Sequence, residues 1–388
     1  MKLRIVPNDT LFFRDGKPFS LGDETWADDI FPPYPATLYG SIRTAYIAHH
    51  GGLEKFKNGD MAAKIGTISS PPPADGLRLK CIHLAYSADA LAAIDRAYYP
   101  APLDLAISKE NPNRLVPLQP RKDDGLVSSC PLPHLLLPKN RNEEVTMPPK
   151  AFIHETAFWA KYFLDFYDGI QLRTLDDFLL DEPKVGIGRS RKTHTSEEGQ
   201  LYRVGMKRLQ SGWSIYANVD GFTSADLPTT GLLKLGGENK TAVFSCFDDN
   251  IGAHRLDPNE TQLKSHIAAD QQFKLYLMTP ALFRKNGWYP DNVKEGWSLE
   301  TTPFKLIAAA VGKPVHIGGW DMGNNHPKEM LRAVPAGAVY YFCAESAPDE
   351  VSIDKIIADF HRNNIGQRAI EGFGHCLITR WSKNQHGH

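Results

Sequence analysis

The chain has 388 residues, and its 44 Lys and Arg against 45 Asp and Glu give a formal net charge of −1 at pH 7. A hydrophobic content of 42% and a charged content of 23% are typical of a soluble globular protein with two or three domains. The near-neutral balance argues against a free-standing binder of duplex DNA, which usually has a strongly basic domain, so any nucleic-acid site must be a local patch.

Cysteine usage and hydropathy indicate the compartment. The five cysteines are scattered and form no CxxC pair, which predicts reduced thiols and no zinc site. There is no stretch of 18 apolar residues and no apolar run at the start, so we expect neither a membrane segment nor secretion. Together these features predict a cytoplasmic protein.

The first predicted elements are a strand and a helix. Residues 2–6 alternate between polar and apolar side chains, which predicts the strand. Residues 31–50 carry prolines suited to a first helical turn, an apolar face and a Gly-Gly stop, which predicts the helix. Gly40 inside this helix costs about 1 kcal/mol relative to Ala. Either close packing on a sheet or an RNA backbone that passes over Gly40, Ser41 and Arg43 would offset that cost.

The next part of the chain is less regular. Residues 77–86 alternate and predict a second strand. Residues 98–150 are rich in Pro, Asn and charge, which predicts a long irregular insertion, because loops of this length are usually functional or disordered. An apolar stripe then predicts a helix over residues 152–168.

Residues 185–208, VGIGRSRKTHTSEEGQLYRVGMKR, have the composition of a basic hairpin. Residues 184–208 include seven basic side chains and two acidic ones. The candidate binding residues here are two glycines, a run of cations with a histidine, and one arginine on the return strand: Gly186, Gly188, Arg189, Arg191, Lys192, His194 and Arg203. Guanidinium groups on a glycine backbone suit phosphates. The alternative is a basic hairpin that is merely solvated.

The remaining predicted elements are strands over residues 213–219, 273–280 and 304–311, a helix over residues 352–363, and a closing strand up to residue 381. Each half then has strands around two helices and a glycine turn before its last strand. This order predicts an α+β fold of two tandem ferredoxin-like (RRM-like, βαββαβ) domains with glycine-rich loops and long insertions. The domains would span residues 1–225, which include the insertion and the hairpin, and residues 226–388.

The motifs of an enzyme or cofactor site are missing from the sequence. None of the glycine turns is a GxGxxG or a GxxxxGK[ST], and no histidine pair has a metal-ligand spacing such as HExxH. We find no catalytic set, and we expect no cofactor and no metal. Aromatic residues lie beside basic ones near Arg14, Lys285 and Trp320, a combination that suits single-stranded RNA but also occurs at the edges of cores.

Several stretches together resemble one family. They are DTLFFRDGKPF at 9–19, FPPYPATLYGSIRTA at 31–45, VGIGRSRKT at 185–193, LGGENK at 235–240, TPALF and GWYP within 279–290, IGGWDMGNNHPK and RAVPAGAVYYF within 317–342, and GFGH at 372–375. They resemble the third subunit of the type III-B CRISPR effector, the Cmr complex, which is a repeat-associated mysterious protein (RAMP). The resemblance extends from residue 2 to residue 381, although residues 98–150 carry no matching motif.

The resemblance implies two ferredoxin-like domains whose glycine-rich loops line an RNA groove. It also implies a non-catalytic subunit that holds the repeat-derived 5′ handle of the CRISPR RNA. Its protein partners would be the large palm-domain (polymerase/cyclase-like) subunit and an adjacent backbone RAMP subunit, with target RNA bound only indirectly. The sequence departs from the family at Asn239 and Lys240, where arginine is expected, and its closing loop lacks a further glycine.

The resemblance and the residues together give the candidate RNA contacts. Beyond the basic hairpin they are Arg14, Gly40, Ser41, Arg43, Gly236, Gly237, Lys240, Gly318, Gly319, Trp320, Lys328, Gly372, Gly374 and His375. We expect Arg189, Arg191 and Lys192 to neutralise handle phosphates, while the hairpin glycines let the backbone close on them. The helix around Gly40 would form the opposite wall, and the loop at 318–328 would contact either RNA or the large subunit.

Three other functions stay open at this point. One is a RAMP ribonuclease that processes precursor CRISPR RNA without metal, for which His194 and His375 are the candidate groups. The second is a protein scaffold with no RNA contact of its own. The third is a metabolic enzyme that uses its glycine loops for a phosphorylated ligand.

Overall fold

The fold is given by a computed structural model, which describes residues 1–14, 26–27, 30–88, 96–122, 125, 128–148, 150–189, 192–193, 195–247, 260–321 and 325–382. Within these ranges no helix is long and apolar enough to cross a membrane. The described part of the chain has six α-helices: α1 (Pro35–His49), α2 (Leu53–Lys57), α3 (Ala62–Ile65), α4 (Glu155–Ala160), α5 (Glu260–Asp270) and α6 (Glu350–Phe360).

The strands are mostly short. Up to residue 247 they are β1 (Lys2–Pro7), β2 (Trp26–Ala27), β3 (Arg78–Tyr86), β4 (Arg96–Pro100), β5 (Leu105–Ser108), β6 (Leu115–Arg121), β7 (Leu135–Pro138), β8 (Val145–Thr146), β9 (Phe152–His154), β10 (Leu172–Arg173), β11 (Leu179–Asp181), β12 (Lys184–Arg189), β13 (Ser196–Val204), β14 (Lys207–Leu209), β15 (Trp213–Asp220), β16 (Thr230–Lys234) and β17 (Thr241–Phe247). Beyond it they are β18 (Gln272–Leu277), β19 (Phe304–Ala310), β20 (Val315–Ile317), β21 (Trp320–Asp321), β22 (His326–Pro327), β23 (Leu331–Ala333), β24 (Val339–Ala344), β25 (Asn363–Asn364) and β26 (His375–Arg380).

The chain divides into two compact units, and each is built from three segments. The first consists of Met1–Ile82, Asp176–Asp249 and His316–Leu331, and the second of His83–Leu175, Asn250–Val315 and Arg332–His388. The boundary predicted near residue 225 is not one of these divisions.

In the first unit β1 is the central strand of an antiparallel sheet, between β15 and β17. β16 pairs with β17 and ends the sheet on that side, and β3 follows β15 on the other. Helix α1 buries Leu38 and Ile42 completely, and the Ser41 hydroxyl donates a hydrogen bond to the carbonyl of Lys234 in β16 at 2.7 Å. Because β16 and β17 join the strand β1, the N-terminal sheet extends past the predicted boundary.

In the second unit the main sheet has the order β19-β24-β18-β26-β25, with antiparallel neighbours throughout. Helices α5 and α6 pack against each other and against this sheet. The predicted apolar face of α6 is confirmed, since the side chains of Ile353, Ile356, Ile357 and Phe360 are all buried.

Two predictions about the middle of the chain are wrong. Residues 98–150 hold a four-stranded sheet of order β7-β6-β5-β8, and its prolines hide the strand pattern. Pro117 and Pro120 of β6 lie in register with Leu105 and Leu136. The helix predicted over 152–168 is limited to α4 and a 3₁₀ turn. Residues 152–154 form β9, α4 ends where Lys161 leaves helical geometry (φ −126°, ψ −74°), and the left-handed backbone of Asp165 (φ 64°) ends the 3₁₀ turn.

A buried lysine organises the core of the second unit. Lys274 lies on β18 and is 0% exposed. Its ammonium group donates to Asp165 Oδ1 at 3.2 Å and to the Tyr167 hydroxyl at 3.0 Å, and lies 3.8 Å from Asp104 Oδ2. Both carboxylates are also buried, at 0% and 1% exposure. The ammonium group of Lys274 therefore balances the charge of two carboxylates that are buried with it.

Hydroxyl and amide donors complete this network. Tyr162 donates to both oxygens of Asp104 at 2.9 Å, and Tyr341 donates to Oδ2 at 2.7 Å. The amide of Ser382 donates to Asp165 Oδ2 at 3.0 Å. Burial raises the pKa of Asp104, against the opposing effects of Lys274 and the two tyrosine hydroxyls. The groups of the network therefore depend on one another for compensation.

Removal of the lysine charge tests this dependence. Lys274→Met leaves two buried carboxylates without their cation, and loss of one partner of a buried pair costs about 3–5 kcal/mol. We expect a loss of that size in urea unfolding followed by tryptophan fluorescence. Lys264→Met is the control: this lysine pairs with Asp354 at 2.7 Å on the surface, so its loss should change the unfolding free energy much less than the loss of Lys274. Equal losses in the two variants would contradict the assigned role of Lys274.

A third buried acid, Glu155, begins α4. Glu155 is 7% exposed, and among the described residues its Oε2 has no hydrogen-bond partner. Burial raises its pKa to about 7, which a hydrogen bond from the backbone of Ala97 opposes. The folded state therefore binds a proton at this carboxyl more tightly than the unfolded chain, where the pKa is near 4.5.

The protonation of Glu155 makes the stability of the fold depend on pH. The stabilising contribution of the protonated Glu155 is complete below about pH 4.5 and is lost as the pH rises through about 7. Glu155→Gln keeps the shape without the charge, so it should raise the melting temperature relative to wild type at pH 8 and less so at pH 5. A difference that is the same at both pH values would show that Glu155 does not titrate in this way.

Candidate nucleic-acid interface

The predicted basic hairpin is present as a two-stranded arm, β12 with β13. The strands are antiparallel, with Lys184 opposite Val204 and Gly186 opposite Tyr202, and the register shifts between Ile187 and Arg189. At the base of the arm β13 also pairs in parallel with the short strand β2. The arm is therefore anchored at its base by a third strand.

The first strand of the arm is exposed on both faces. Strand alternation puts Lys184 and Gly186 on one face and Val185 and Ile187 on the other. Val185 is 61% exposed and Ile187 is 52% exposed, and the side chain of Lys184 is exposed as well. A two-stranded ribbon is marginally stable in water by itself. The described part of β12 is thus exposed on both sides, which suits contact with another molecule.

A cluster of ion pairs neutralises the cations at the base of the arm. Arg208 donates to Glu182 Oε1 at 2.5 Å and to Asp9 Oδ1 at 2.8 Å, and Lys240 donates to Asp9 Oδ2 at 2.5 Å. The hydrogen bond from Lys240, with that of Arg208, holds the pKa of Asp9 well below its usual range. The bond from Arg208 also lowers the pKa of Glu182. Lys240, a candidate RNA contact, is thus committed to an internal pair.

Two more basic residues of this region have carboxylate partners. Lys184 pairs with Glu238 at 3.1 Å, and Lys207 pairs with Asp181. Further along the arm the sequence has three more basic residues, Arg189, Arg191 and Lys192. Lys192 and Arg203 are exposed. The side chain of Arg189 and all of Arg191 and His194 lie outside the described residues.

The glycine turn at 236–237 packs against the segment before Arg14. The amide of Gly237 donates to the carbonyl of Phe12 at 2.8 Å, and a Cβ on Gly236 (φ +85°) would lie 2.7 Å from that oxygen. Close approach to Phe12 therefore explains why glycine is needed here. Arg14 is exposed two residues further on.

Helix α1 presents an exposed glycine. Gly40 is exposed, and a Cβ placed on it would meet nothing within 4 Å. Close packing on the sheet is therefore not the reason for glycine in mid-helix, and the space above it is open. Arg43 is differently placed, because it donates to the carbonyls of Ile65 and Thr67 at 3.0 and 2.6 Å. Those bonds hold α1 in position, and a phosphate would have to displace them.

The second glycine loop exposes an aromatic ring beside a cation. Trp320 is 51% exposed on β21 and lies opposite Pro327 of β22. Gly319 has φ +146°, and its carbonyl accepts a hydrogen bond from the amide of Lys328 at 2.9 Å. Lys328 is exposed too. An exposed tryptophan next to a lysine suits base stacking with a phosphate contact.

The closing glycine turn serves the interior of the second unit. The carbonyl of Gly372 accepts a hydrogen bond from the Thr279 hydroxyl at 2.8 Å, and a Cβ on Gly374 would lie 2.0 Å from the carbonyl oxygen of Ile365. His375 is 6% exposed, and its Nδ1 lies 3.2 Å from Asn364 Oδ1. Internal packing alone accounts for these residues.

The structure sorts the candidate residues into two groups. All candidates from Arg14 to Lys328 belong to the first unit, and Gly372, Gly374 and His375 belong to the second. Sequence reasoning missed Asp9 and Glu182, whose pairing with Arg208 joins residues far apart in the chain. It also missed the apolar face of the arm, although alternation within VGIGR carries that signal. Among the described residues no group of three His, Cys, Asp or Glu is placed to hold a metal ion.

Comparison with solved structures finds several similar chains. One, from the type III-B Cmr-beta complex bound to cognate target RNA and AMPPnP, is 15% identical, with a TM-score of 0.47 and coverage of 88% of this chain and 86% of that one. Another, from the same complex bound to cognate target RNA, is 16% identical, with a TM-score of 0.46 and coverage of 93% and 90%. A third, from a type III-A Csm3–Csm4 subcomplex, is 12% identical, with a TM-score of 0.35 and coverage of 90% and 97%.

Comparison with curated proteins finds no match. Comparison with protein-family models gives one match that extends along nearly the whole chain. The family model described as CRISPR-associated protein (Cas_Cmr3) matches residues 3–381. That range covers nearly all of both units and contains every candidate RNA contact. The chain therefore belongs to the Cas_Cmr3 family of CRISPR-associated proteins.

Proposed function

We propose that this chain is a non-catalytic RNA-binding subunit of a type III-B CRISPR effector, which holds the repeat-derived 5′ handle of the CRISPR RNA and docks the large palm-domain subunit. An adjacent backbone RAMP subunit would be its other neighbour. The observation that carries the proposal is the arm β12–β13: Val185 and Ile187 are exposed on one face of β12 and Lys184 on the other, and Lys192 and Arg203 are exposed as well. Family membership supplies the context of a CRISPR effector.

The charge distribution favours RNA as the ligand of the arm. Carboxylates pair with Lys184, Lys207 and Arg208 at the base of the arm. We assign the phosphate contacts to the basic residues further along the chain, Arg189, Arg191 and Lys192. Guanidinium groups bind phosphates in a bidentate manner. Gly186 and Gly188 have no side chain, which would allow a backbone to approach β12 closely. The apolar face of Val185 and Ile187 would then be left for a protein subunit.

The strand orders support two ferredoxin-like domains. The sheet that contains β1 has eight strands and the sheet that contains β18 has five. Four adjacent strands of each, numbered in chain order, have the same spatial order, second-third-first-fourth: β3-β15-β1-β17 and β19-β24-β18-β26. A repeated order of this kind is expected of tandem βαββαβ units. A 3₁₀ segment, Arg284–Asn286, lies where the C-terminal copy would have its first helix.

No observation favours the ribonuclease alternative. His375 is buried and bonded to Asn364, so it is poorly placed to reach a scissile phosphate. Cleavage of a repeat RNA in EDTA, lost on His194→Ala, would nevertheless establish it. The scaffold alternative would be supported if ultraviolet crosslinking gave no RNA adduct on this chain in the assembled complex.

Salt-dependent binding tests the arm. We expect the chain with the large subunit to bind a labelled CRISPR RNA with the authentic handle more tightly than one with a scrambled handle, by fluorescence anisotropy. For single strands the log–log salt slope is about −0.7 per phosphate contact, so Arg189→Ala with Arg191→Ala should flatten it by about 1.4 units. The control is Arg284→Ala with Lys285→Ala, which removes two exposed cations elsewhere. If the arm variant behaves like this control, the arm does not bind the handle.

Gly40 gives an independent test of the opposite wall. Gly40→Ala fills open space on a helix, so it should stabilise the free chain by about 1 kcal/mol, or about 2–4 °C in melting temperature. Gly40→Leu should keep the fold and weaken handle binding by about tenfold, or about 1.4 kcal/mol. Ala48→Leu, also exposed on α1, is the control and should leave RNA affinity unchanged. Unchanged affinity in Gly40→Leu would remove α1 from the RNA site.

A further inference from the structure

The first sheet ends in a strand, β16, whose outer edge is not paired with another strand of the described chain. β16 is the last strand of its sheet, with β17 on one side. The amide of Cys246 donates to the carbonyl of Thr229 at 2.7 Å, and the amide of Leu235 donates to Lys240 at 2.9 Å. Because antiparallel ladders alternate, the odd-numbered residues between these points direct their backbone groups to β17. The even-numbered ones, Thr230, Leu232 and Lys234, direct theirs outward.

One of these outward groups has a partner. The carbonyl of Lys234 accepts the hydrogen bond from the Ser41 hydroxyl, which confirms the outward direction of the even-numbered residues. Within the described chain, the outward N–H and C=O groups of Thr230 and Leu232 have no hydrogen-bond partner. Unpaired strand edges are templates for another strand, and proteins normally protect them with proline, bulges or several charges. β16 (TGLLK) has no proline and one charged side chain.

An apolar stripe leads to the same edge. Val6 of β1 lies opposite Val243 of β17, which lies opposite Leu232 of β16. Their exposed fractions rise towards the edge, at 37%, 40% and 64%. The three side chains share the face of the sheet opposite to the one that α1 covers, since Leu233, their neighbour in β16, is 1% exposed. Leu232, the most exposed of these three side chains, therefore lies on the strand whose outward backbone groups have no partner in the described chain.

We propose that β16 is a docking site for an extended segment of a partner protein, which adds as a further strand and covers Leu232 with an apolar side chain. Backbone groups give such pairing its affinity, and alternate side chains give it specificity. A carboxylate on the partner segment, placed within reach of Lys234, would pair with the one charged side chain of β16. RNA is a poor occupant, because Lys234 is the only cation on the strand.

The size of the edge indicates what kind of partner fits. β16 has five residues, or about 17 Å of strand. Pairing along it alone buries much less than the ~800 Å² per partner of a stable protein interface. The edge therefore suits one extended segment of a subunit that is also held elsewhere in an assembly, and not two copies of this chain joined edge to edge. This inference is independent of handle binding by the arm.

Hydrogen exchange with residue resolution tests the proposal directly. The probe is the set of remaining subunits of the type III-B complex, purified together without this chain and then mixed with the full chain. In the free chain we expect fast exchange at the outward amides of Thr230, Leu232 and Lys234 and slow exchange at Gly231 and Leu233. Assembly should slow the outward amides by at least about tenfold and leave the inward ones slow.

Variants separate docking from folding. Thr230→Pro removes an outward N–H that the native ladder does not use, a position where edge strands accept proline. Leu232→Lys puts a charge into the apolar stripe. Each should weaken binding of the chain to the other subunits by about tenfold without a change in melting temperature. The control is Val351→Lys on α6, since Val351 is 75% exposed and lies elsewhere.

Four results would overturn the proposal. They are slow exchange of the outward amides already in the free chain, no slowing on assembly, slowing only when CRISPR RNA is added, and a dimer of the free chain that Leu232→Lys dissociates. The last two would assign the edge to RNA or to a second copy. Since RNA affinity is measured separately with the arm variants, failure here leaves the function of the arm untouched, and the converse also holds.

Discussion

The second unit depends on the compensation of one buried cation by two buried acids. Strand β18 is buried along its whole length, and Lys274 in its middle has no access to water. An ammonium group in such a place is tolerated only with charged and hydrogen-bonding partners. Asp165 comes from the turn after α4 and Asp104 from the start of the inserted sheet, so compensation brings distant segments to the same strand. The left-handed backbone at Asp165 (φ 64°) is part of the same arrangement, because it ends the 3₁₀ turn after α4 where the carboxylate is needed.

Charge compensation also shapes the first unit, with the opposite result. Around Asp9 and Glu182 the acids neutralise Arg208 and Lys240 at the surface, where each pair contributes little to stability. Their effect is on the distribution of charge. They remove positive potential from the base of the arm, while the exposed valine and isoleucine of β12 make one face of that strand apolar. Exposed basic residues and an exposed apolar pair thus occur on one short arm of a chain whose net charge is −1.

Local patterns predicted the elements that depend on local physics. The strand at residues 2–6 and the apolar periodicity of α6 appear where expected, because burial of one face dictates such spacings. The hairpin is present, but its return strand begins at Ser196, within the stretch 195–199 whose composition predicted the turn. The inserted sheet was missed, since prolines at register positions of β6 obscure its alternation. Helix 152–168 was predicted too long, because nothing local in the sequence shows that the Asp165 carboxylate is bound by a lysine 109 residues away. Among the candidate site residues, Gly40 and Trp320 are exposed as an interface requires, while His375 and Arg43 are occupied within the fold.

The sequence by itself determined the family, the strand-rich α+β character and the existence of the basic hairpin, because motifs and periodicities are properties of short stretches. The tertiary structure decided which of the basic side chains have partners, which glycines are required by close packing and which are open, and that β16 ends its sheet with free backbone groups. These features depend on pairs such as Asp9 with Lys240 or Ser41 with Lys234, whose members are about two hundred residues apart in the chain. Charge neutralisation, burial and strand pairing are relations between segments, and folding fixes which segments meet.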